Sequence, residues 1–406
     1  MRKIIQAALS FLAIKTLKKY HPLVIGITGS FGKTSAKEAV ALILKKYYRV
    51  RANYLNLNTE IGVPLTVIGG KDARRNVLIW LENFFKAFLN LIFKDKEYPE
   101  VLVLEMAADK PNDIKYLSQL AKPKIAILTG IGLMPVHISQ FKNREELVKE
   151  KSLLIKNLPE DGFAILNGDN ESVFDLKDKT KAGVITFGFN NSSLKISDYK
   201  FRQAEDLKQS GISFRLEYKG SFVPVILDGV ISKANAYALS AAAAVGVALN
   251  LNLVEIAEAM SNFKPPPGRL NIVSGIKNSW ILDDTYNASP DSMNLALETL
   301  KEIQAKRKIV VLGDMLELGE YSEEAHRLIG QNVFQYADAF FAIGSKMKFA
   351  YDEAEKNHME KDKICWFNTS QEACLMVQNY IQEGDVILIK GSRGMRMEQI
   401  VEEVKA

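Results

Sequence analysis

The chain has 406 residues, of which 47% are hydrophobic and 25% charged, and its formal net charge is +5. This length predicts more than one domain, because single cores rarely grow beyond about 250 residues. The composition indicates neither an integral membrane protein nor a disordered chain. A basic stripe interleaved with aromatic residues is missing, which argues against a nucleic-acid binder. The two cysteines, Cys365 and Cys374, fit neither a zinc site nor a disulfide framework and indicate the reducing cytosol.

The first 22 residues contain five basic residues and no acidic one. Their sequence, MRKIIQAALSFLAIKTLKKYHP, predicts an amphipathic basic helix over residues 1–22. The apolar part is too short to span a bilayer, and it lacks the cleavage site of a signal peptide. Two interpretations stay open. The helix packs on the rest of the protein, or it makes a peripheral contact with the inner face of an anionic membrane.

A second apolar stretch, NVLIWLENFFKAFLNLIF, covers residues 76–93 and predicts a helix inside an insertion at about residues 71–98. The stretch is too apolar for a free surface. We rank three interpretations in this order: burial against another domain, a dimer contact, and a membrane contact made together with the N-terminal helix.

From residue 23 onward, short apolar runs alternate with helical patterns, which predicts an α/β fold with a mostly parallel sheet. The expected strands include LVIGITG, VLVLEMA, KIAILTG and GFAILNGDN, followed by a hairpin that turns at Lys219-Gly220 and an alanine-rich helix, KANAYALSAAAAVGVALNL. Three prolines in FKPPPGRL, residues 263–270, predict a domain boundary. Beyond it, IVVLGDM, AFFAIGSK and VILIKGSRG predict a second α/β domain.

The segment VIGITGSFGKTSAKE, residues 24–38, joins an apolar strand to an amphipathic helix, which is the context of a phosphate-binding loop. Backbone N–H groups freed by Gly29 and Gly32 are expected to bind phosphate oxygens. Lys33 would add a positive charge and Thr34 a magnesium ligand. A plain glycine turn is the alternative, because Ile27 stands where the usual G-x-x-x-x-G-K spacing has its first glycine.

Three more residues are candidates for the same site. Glu105 ends an apolar strand and is expected to hold magnesium opposite the phosphate loop, with a purely structural acid as the alternative. His137 follows the next strand. Lys151 lies four residues after Leu147 and three before Leu154, so it falls on the inward stripe of its helix. A buried lysine needs a partner or a chemical role, unless its amine reaches the surface.

Seven segments, in consistent order from about residue 24 to 404, together resemble the Mur ligase family. They are GITGSFGKTSAKE, NLNTEIGVPLT, LEMAAD, NLPEDGFAILNGDN, DDTYNASPDSM, VLGDMLELGEYSEEAH and GDVILIKGSRGMRME. DDTYNASPDSM and VLGDMLELG are most similar to the member that adds D-alanyl-D-alanine to a UDP-linked muramoyl tripeptide. The resemblance implies a central P-loop ATPase-like domain at residues 23–267 and a C-terminal Rossmann-like α/β domain at residues 268–406.

The resemblance also implies an ATP-dependent amide ligase of peptidoglycan precursor synthesis, which works through an acyl phosphate. Its implied cofactors are ATP, two Mg²⁺ ions and a carbamylated Lys151. The implied catalytic residues are Lys33, Glu105, His137 and Lys151, and the implied metal ligands are Thr34, Glu105, His137 and Lys151 as a carbamate. The implied ATP-binding residues are Gly29, Ser30, Phe31, Gly32, Lys33, Thr34, Ser35, Asn235, Arg269, Asp283 and Asp284. The implied substrate residues are Asn56, Asn58, Tyr286, Asn287, Ser289 and Pro290.

The family member with this activity has a whole UDP-binding domain ahead of the phosphate loop, where this chain has about 23 residues. A separate UDP-sugar-binding partner is therefore considered beside the small-molecule peptide or amino-acid substrates. Two other functions stay open. One is a Mur-like ligase that joins a different carboxylate and amine, such as a lipid-linked or other cell-surface precursor. The other is a nucleotide-binding regulatory protein without ligase activity.

Overall fold

The computed structural model describes residues 2–54, 57–74 and 76–406. Two sheets organise the chain, one on each side of the proline run at residues 263–270. The α-helices are α1 (Arg2–Tyr20), α2 (Lys33–Leu44), α3 (Gly62–Ile68), α4 (Val77–Ile92), α5 (Asp113–Ala121), α6 (Arg144–Lys156), α7 (Glu171–Phe174), α8 (Lys233–Ala248), α9 (Leu253–Met260), α10 (Pro290–Glu302), α11 (Ser322–Asn332), α12 (Met347–Lys356), α13 (Ser370–Tyr380) and α14 (Glu398–Val404). The strands are β1 (Leu23–Thr28), β2 (Val50–Ala52), β3 (Val101–Glu105), β4 (Ile125–Leu128), β5 (Phe163–Asn167), β6 (Gly183–Gly188), β7 (Leu194–Arg202), β8 (Gly211–Tyr218), β9 (Ser221–Asp228), β10 (Asn271–Gly275), β11 (Ser279–Asp284), β12 (Arg307–Gly313), β13 (Ala339–Ile343), β14 (Ile364–Phe367) and β15 (Asp385–Lys390).

The first sheet has nine strands in the order β2-β3-β1-β4-β5-β6-β7-β8-β9. All neighbouring strands from β2 to β7 in this order pair in parallel. The strand β8 is antiparallel to both β7 and β9. The predicted hairpin joins β8 to β9, with Tyr218 opposite Ser221. In a parallel sheet the carboxyl ends of the strands meet at one edge. The ends of β1, β3, β4 and β5 therefore bring their following residues together.

Both faces of this sheet are covered, as the continuous apolar runs of its parallel strands require. The helices α2, α8 and α9 pack in one cluster with β1, β3 and the hairpin. The alanines of α8 let it lie close against α2, because small side chains keep the two backbones near each other. The helices α3, α5 and α6 cover the opposite face.

The second sheet has six strands in the order β10-β11-β15-β12-β13-β14. The edge strand β10 is antiparallel to β11, and the other pairs are parallel. One face packs on α10, α11 and α12, and the other on α13 and α14. The predicted α/β class with mostly parallel sheets is thus confirmed.

The N-terminal helix α1 packs on α3, α4 and α5 and buries Leu9 and Ala13. The predicted N-terminal helix is present, but its predicted amphipathic character is wrong, because apolar residues lie on both the buried and the exposed side, where Phe11 is an example. The predicted burial of residues 76–93 against another domain is wrong for the described chain, because Asn83 and Ala87 are the only fully buried residues of α4. Among the described residues, no helix combines the length and the apolar character needed to cross a membrane.

Candidate active site

A cavity of about 620 Å³ opens between the two sheets. Its walls come from the loop between β1 and α2, the carboxyl ends of β3, β5, β11 and β15, and the first turns of α8 and α10. Its volume lies within the usual range for small-molecule sites. The carboxyl ends of strands from the first sheet therefore face the carboxyl ends of strands from the second.

The loop between β1 and α2 requires glycine at two positions. Gly29 has φ +148°, and a Cβ there would lie 2.1 Å from Oγ1 of Thr129. Gly32 has φ +75° and is the N-cap of α2. The first N–H groups of α2 have no acceptor within the helix and point out of its positive end, so they suit a bound anion.

Two lysine amines converge on one backbone carbonyl of this loop. Nζ of Lys33 donates to the Gly29 oxygen at 2.8 Å, and Nζ of Lys151 donates to the same oxygen at 3.1 Å. Lys151 is 1% exposed, so the predicted inward orientation is observed. Burial, and then the nearby Lys33 ammonium, lower the pKa of Lys151 to about 7, and burial also lowers the pKa of Lys33. The carbonyl oxygen carries no formal charge, so the two amines favour a bound anion beside them.

A carboxylate stands beside the loop in a fixed position. Oε2 of Glu105 accepts from the Thr34 hydroxyl at 3.0 Å, and Oε1 accepts from the Asn58 side-chain amide at 3.0 Å. The backbone of Glu105 is itself held by the Asn53 side chain, which accepts from its N–H and donates to its carbonyl oxygen. Thr34 and Glu105 thus present two hard oxygen ligands next to the phosphate-binding loop, a type of ligand that Mg²⁺ prefers.

His137 contacts both halves of the chain. Its Nδ1 lies 2.5 Å from Oε2 of Glu317, which follows β12, and its Nε2 lies 3.8 Å from Oδ1 of Asp109. Burial, and then the positive charges of Lys33 and Lys151, lower the pKa of His137 to about 4. A neutral imidazole that donates from Nδ1 to Glu317 leaves Nε2 unprotonated and able to act as a ligand.

The opposite wall carries positive charge from the second half of the chain. The guanidinium of Arg269 stacks over the Tyr286 ring at 4.2 Å, and its buried Nε has no hydrogen-bond acceptor within the described chain. Nζ of Lys390 donates to Oδ2 of Asp284 at 2.6 Å, and both residues are buried. Burial raises the pKa of Asp284 and lowers that of Lys390, while the attraction within the pair opposes both shifts.

Comparison with known proteins identifies the family of the chain. The Mur ligase middle domain matches residues 27–246, and the glutamate ligase domain of the Mur ligases matches residues 268–393. The chain belongs to the Mur ligase family. It is 31% identical over 403 residues to the UDP-N-acetylmuramoyl-tripeptide–D-alanyl-D-alanine ligase of Bacillus subtilis (strain 168), covering 98% of this chain and 79% of that protein.

Solved structures agree with this assignment. The MurF ligase of Thermotoga maritima in complex with ADP superposes with a TM-score of 0.77 at 26% identity, covering 98% of this chain and 83% of that one. A MurF structure from Acinetobacter baumannii gives a TM-score of 0.81 at 24% identity, covering 98% of this chain and 80% of the other, and supports the fold. The resemblance drawn from the sequence motifs is therefore confirmed at the level of the Mur ligase family.

Most residues expected for a Mur ligase site line one cavity. From the first half of the chain these are Ser30, Phe31, Gly32, Lys33, Thr34, Ser35, Asn58, Glu105, His137, Lys151 and Asn235. From the second half they are Arg269, Asp284, Tyr286, Asn287 and Ser289. The roles assigned to them stay predictions.

Four expected residues do not line the cavity or cannot be described. Asp283 turns back on its own loop, where its carboxylate accepts from the Thr285 hydroxyl at 2.6 Å. Gly29 shapes the phosphate-binding loop from behind, and Pro290 opens α10. Asn56 lies outside the described residues.

Sequence reasoning missed several residues of this Mur ligase cavity, among them Lys390, Asp169 and Tyr237. Lys390 is the last residue of the apolar strand β15, and Asp169 follows the end of β5. Asp169 accepts from the Tyr237 hydroxyl at 2.8 Å and from two backbone N–H groups. Each acid or lysine stands at or just after the end of an apolar strand, which is the signal that singled out Glu105 and could have found both. Tyr237 carries no such signal.

Within the described chain, no three His, Cys, Asp or Glu side chains are grouped to hold a metal ion. The expected ligand set contains one acid and one histidine, and its other members are the Thr34 hydroxyl and Lys151. The Lys151 ammonium repels a cation, whereas a carbamate on its amine would supply an anionic oxygen ligand. The residues present therefore fit Mg²⁺ when phosphate oxygens and a modified Lys151 supply the missing negative charge.

Proposed function

We propose that the chain catalyses the ATP-dependent addition of D-alanyl-D-alanine to a UDP-muramoyl tripeptide in peptidoglycan precursor synthesis. The observation that carries the proposal is the cluster at the phosphate-binding loop, where Thr34, Glu105, Lys33 and Lys151 line one cavity and both lysine amines meet at the Gly29 carbonyl oxygen. The names of the Bacillus subtilis and Thermotoga maritima relatives give the substrates and the nucleotide of the proposed reaction.

In the proposed reaction, a substrate carboxylate oxygen attacks the γ-phosphorus of ATP, and the bond from phosphorus to the bridging oxygen breaks to release ADP. The amine of the second substrate then attacks the acyl phosphate carbon. An amide bond forms, phosphate leaves, and the amine nitrogen loses a proton. Phosphoryl transfer of this kind depends mainly on positioning and on compensation of charge.

The residues of the chain supply that positioning. The first N–H groups of α2 and the Lys33 ammonium bind the phosphates, and the unpartnered Nε of Arg269 donates to an ATP oxygen from the other wall. Asn235, buried at the start of α8, contacts the adenosine part. Because the cavity lies between the two sheets, their approach excludes water, which would otherwise hydrolyse the acyl phosphate.

Two Mg²⁺ ions belong to the proposal and would neutralise the phosphate charge that develops during transfer. The Thr34 hydroxyl, the Glu105 carboxylate and Nε2 of His137 are the proposed ligands. The amine substrate is proposed to bind beside Tyr286, Asn287 and Ser289, which line the part of the cavity nearest α10.

A carbamate on Lys151 completes the proposed ligand set. It forms when the unprotonated amine adds to carbon dioxide, with a new N–C bond and the loss of one proton. Two observations support it: the amine is buried, and its one acceptor in the described chain is a carbonyl shared with Lys33. A pKa near 7 leaves a large share of the amine unprotonated at neutral pH, which is the form that reacts.

The proposal places the enzyme in the cytosol with a peripheral contact at the inner face of the membrane. A separate protein that binds the UDP sugar is a further part of it, and lipid-linked or other cell-surface carboxylates are the alternative acceptors. The exposed apolar surface of α1 and α4 would suit an acceptor that is linked to a lipid.

The deciding experiment measures phosphate release from Mg-ATP with UDP-muramoyl tripeptide and D-alanyl-D-alanine, each omitted in turn, with mass spectrometry of the product. Release that needs both substrates and yields the pentapeptide supports the proposal. Release that is absent in protein that still binds ATP contradicts these substrates. The same assay is then repeated with lipid-linked carboxylates and with an added UDP-sugar-binding protein.

A further inference from the structure

The outward side of α4 is apolar along its whole length. Its exposed apolar side chains recur every three or four residues and so form one stripe. They are Leu78, Leu81, Phe85, Phe88 and Ile92. A free surface seldom carries a continuous stripe of this kind, which marks an interaction site.

The helix α1 adds a second apolar stripe beside the first. Its exposed apolar residues are Ile4, Phe11 and Ile14, again at helical spacing. The two helices are joined at their C-terminal ends, where Nζ of Lys19 donates to the carbonyl oxygens of Asn90 and Phe93. The two stripes are called the α1/α4 face below.

Both stripes point away from the protein body. Leu9 and Ala13 of α1 and Ala87 of α4 are buried in the same hydrophobic cluster under the first sheet. Because each helix turns its inner side into that cluster, its opposite side faces outward. The α1/α4 face is therefore a surface of the chain and not a gap in its core.

The charges around the α1/α4 face are mostly positive. Lys3, Lys15 and Lys18 on α1 and Lys86 on α4 are all exposed. The sequence of α1 contains no acid, and that of α4 contains one, Glu82, whose carboxylate accepts from Nζ of Lys71 at 2.8 Å. The partner that this pattern fits is apolar in its interior and negatively charged at its surface.

We propose that the α1/α4 face docks on an anionic lipid bilayer. The helices lie in the plane of the membrane, the Phe and Leu side chains enter the boundary between headgroups and acyl chains, and the lysines contact lipid phosphates. A second copy of the chain is the less suitable occupant. A two-fold contact through this face would bring the same lysines of both copies together, and their repulsion would oppose the contact.

The inference deepens the proposed localisation and rests on it, but it does not depend on the ligase reaction. Vesicle binding is measured without ATP or peptide substrates. Loss of vesicle binding and loss of turnover are therefore separate results.

The test is co-sedimentation of the full chain with vesicles of phosphatidylglycerol and phosphatidylcholine, with vesicles of phosphatidylcholine alone as reference. We expect binding to the anionic vesicles that weakens as salt is raised, because screening removes the attraction to the lysines. The double variant Phe85→Ser/Phe88→Ser is expected to lower the partition coefficient at least about tenfold. Lys15→Glu/Lys18→Glu is expected to lower it about tenfold or more at low salt.

Matched controls come from the first sheet. Phe222 and Ile226 on β9 are 60% and 59% exposed, close to the 65% and 56% of Phe85 and Phe88. Phe222→Ser/Ile226→Ser and Lys195→Glu/Lys200→Glu, which change exposed residues of β9 and β7, are expected to leave vesicle binding within about twofold.

Equal binding of the test and control variants would overturn the proposal, and so would the absence of binding to anionic vesicles. A dimer in solution that Phe85→Ser/Phe88→Ser abolishes, without vesicle binding by the parent chain, would assign the face to a second copy instead.

Discussion

Two buried lysines stand on opposite walls of the cavity and differ in their partners. Lys390, at the end of β15, donates to the Asp284 carboxylate at 2.6 Å and to the Asn287 carbonyl oxygen at 3.0 Å. Lys151, on α6, donates to the Gly29 carbonyl oxygen, which also accepts from Lys33. Each lysine is 1% exposed. Lys390 therefore has a carboxylate as hydrogen-bond partner, whereas the partner of Lys151 within the described chain is a neutral carbonyl.

This difference separates two uses of a buried amine. A cation with a carboxylate beside it can stay charged in the folded protein, although burial still costs free energy. A cation without one tends to lose its proton, and a neutral amine is a nucleophile. The structure thus supports a fixed positive charge at Lys390 and a reactive amine at Lys151.

The largest expected effect comes from removing that amine. We expect Lys151→Ala to lower kcat at least about 10³-fold, because it removes the proposed carbamate ligand at the reacting phosphate. ATP affinity should change less than about threefold, since the loop N–H groups and Lys33 remain. The measurements are steady-state phosphate release and calorimetric ATP binding.

Two further variants make this test specific. Lys151→Arg keeps a positive charge but cannot form a carbamate, so we expect it to be as inactive as Lys151→Ala. Lys149→Ala removes an exposed lysine of the same helix and should retain full activity. Near-normal turnover by Lys151→Ala or Lys151→Arg would eliminate the carbamate proposal.

The second expected effect is a loss of stability when the other buried lysine, Lys390, is replaced. Lys390→Met leaves the buried Asp284 carboxylate without its partner, and we expect the free energy of unfolding to fall by about 3–5 kcal/mol. Lys151→Met breaks no ion pair within the described chain, so its cost should be below about 1 kcal/mol. Urea denaturation of the two variants gives the comparison directly.

A double variant tests whether the broken ion pair causes the loss of stability in Lys390→Met. Lys390→Met with Asp284→Leu removes both charges, and it should recover most of the stability that Lys390→Met loses. If the double variant is less stable than the single one, the ion pair is not the source of the loss. The distinction between the two lysines would then lose its energetic basis.

The sequence was sufficient to predict the inward orientation of Lys151 and insufficient to predict the ion pair of Lys390, for physical reasons. Helical periodicity fixes which residues of α6 face inward, so Leu147 and Leu154 placed Lys151 correctly. The partner of Lys390 is Asp284, more than a hundred residues earlier, and their contact depends on β15 lying beside β11. A strand order of this kind is decided by packing of the whole domain and not by local pattern.

The same limit explains the error at α4. Its composition correctly predicted a helix, and burial against another domain was ranked first of three interpretations because soluble domains seldom expose so apolar a helix. The exposed Phe85 and Phe88 show that the described chain does not bury it. Local sequence determines the helix, whereas its environment depends on which surfaces the rest of the chain supplies.

The third expected effect is the part of the pH dependence of stability that Lys151 causes. Burial lowers the pKa of its amine from 10.5 to about 7. Between these values the unfolded chain binds a proton that the folded chain has released, so the stability of the parent rises with pH across this window. Below about pH 7 the penalty for burying Lys151 is fully present.

The measurement is the difference in unfolding free energy between the parent and Lys151→Met, in buffer free of carbon dioxide. From about pH 6.5 to about pH 9.5 the parent should gain about 2–3 kcal/mol relative to the variant. Lys149→Met, at an exposed position, is the control and should show no such change. A difference that stays constant with pH would mean that Lys151 keeps its proton in the folded chain.

The smallest expected effect comes from removing the Thr34 hydroxyl, which lies beside Glu105. Thr34→Val removes the hydroxyl that donates to Glu105 at 3.0 Å and that we propose as a Mg²⁺ ligand. We expect the Mg²⁺ concentration for half-maximal turnover to rise about tenfold, whereas Thr34→Ser should stay within about twofold of the parent. If Thr34→Val instead lowers the free energy of unfolding without changing the Mg²⁺ requirement, the hydroxyl only holds Glu105. Glu105, His137 and the Lys151 carbamate would then remain as the proposed Mg²⁺ ligands, and the contrast with Lys390, whose carboxylate partner is Asp284, would rest on the carbamate.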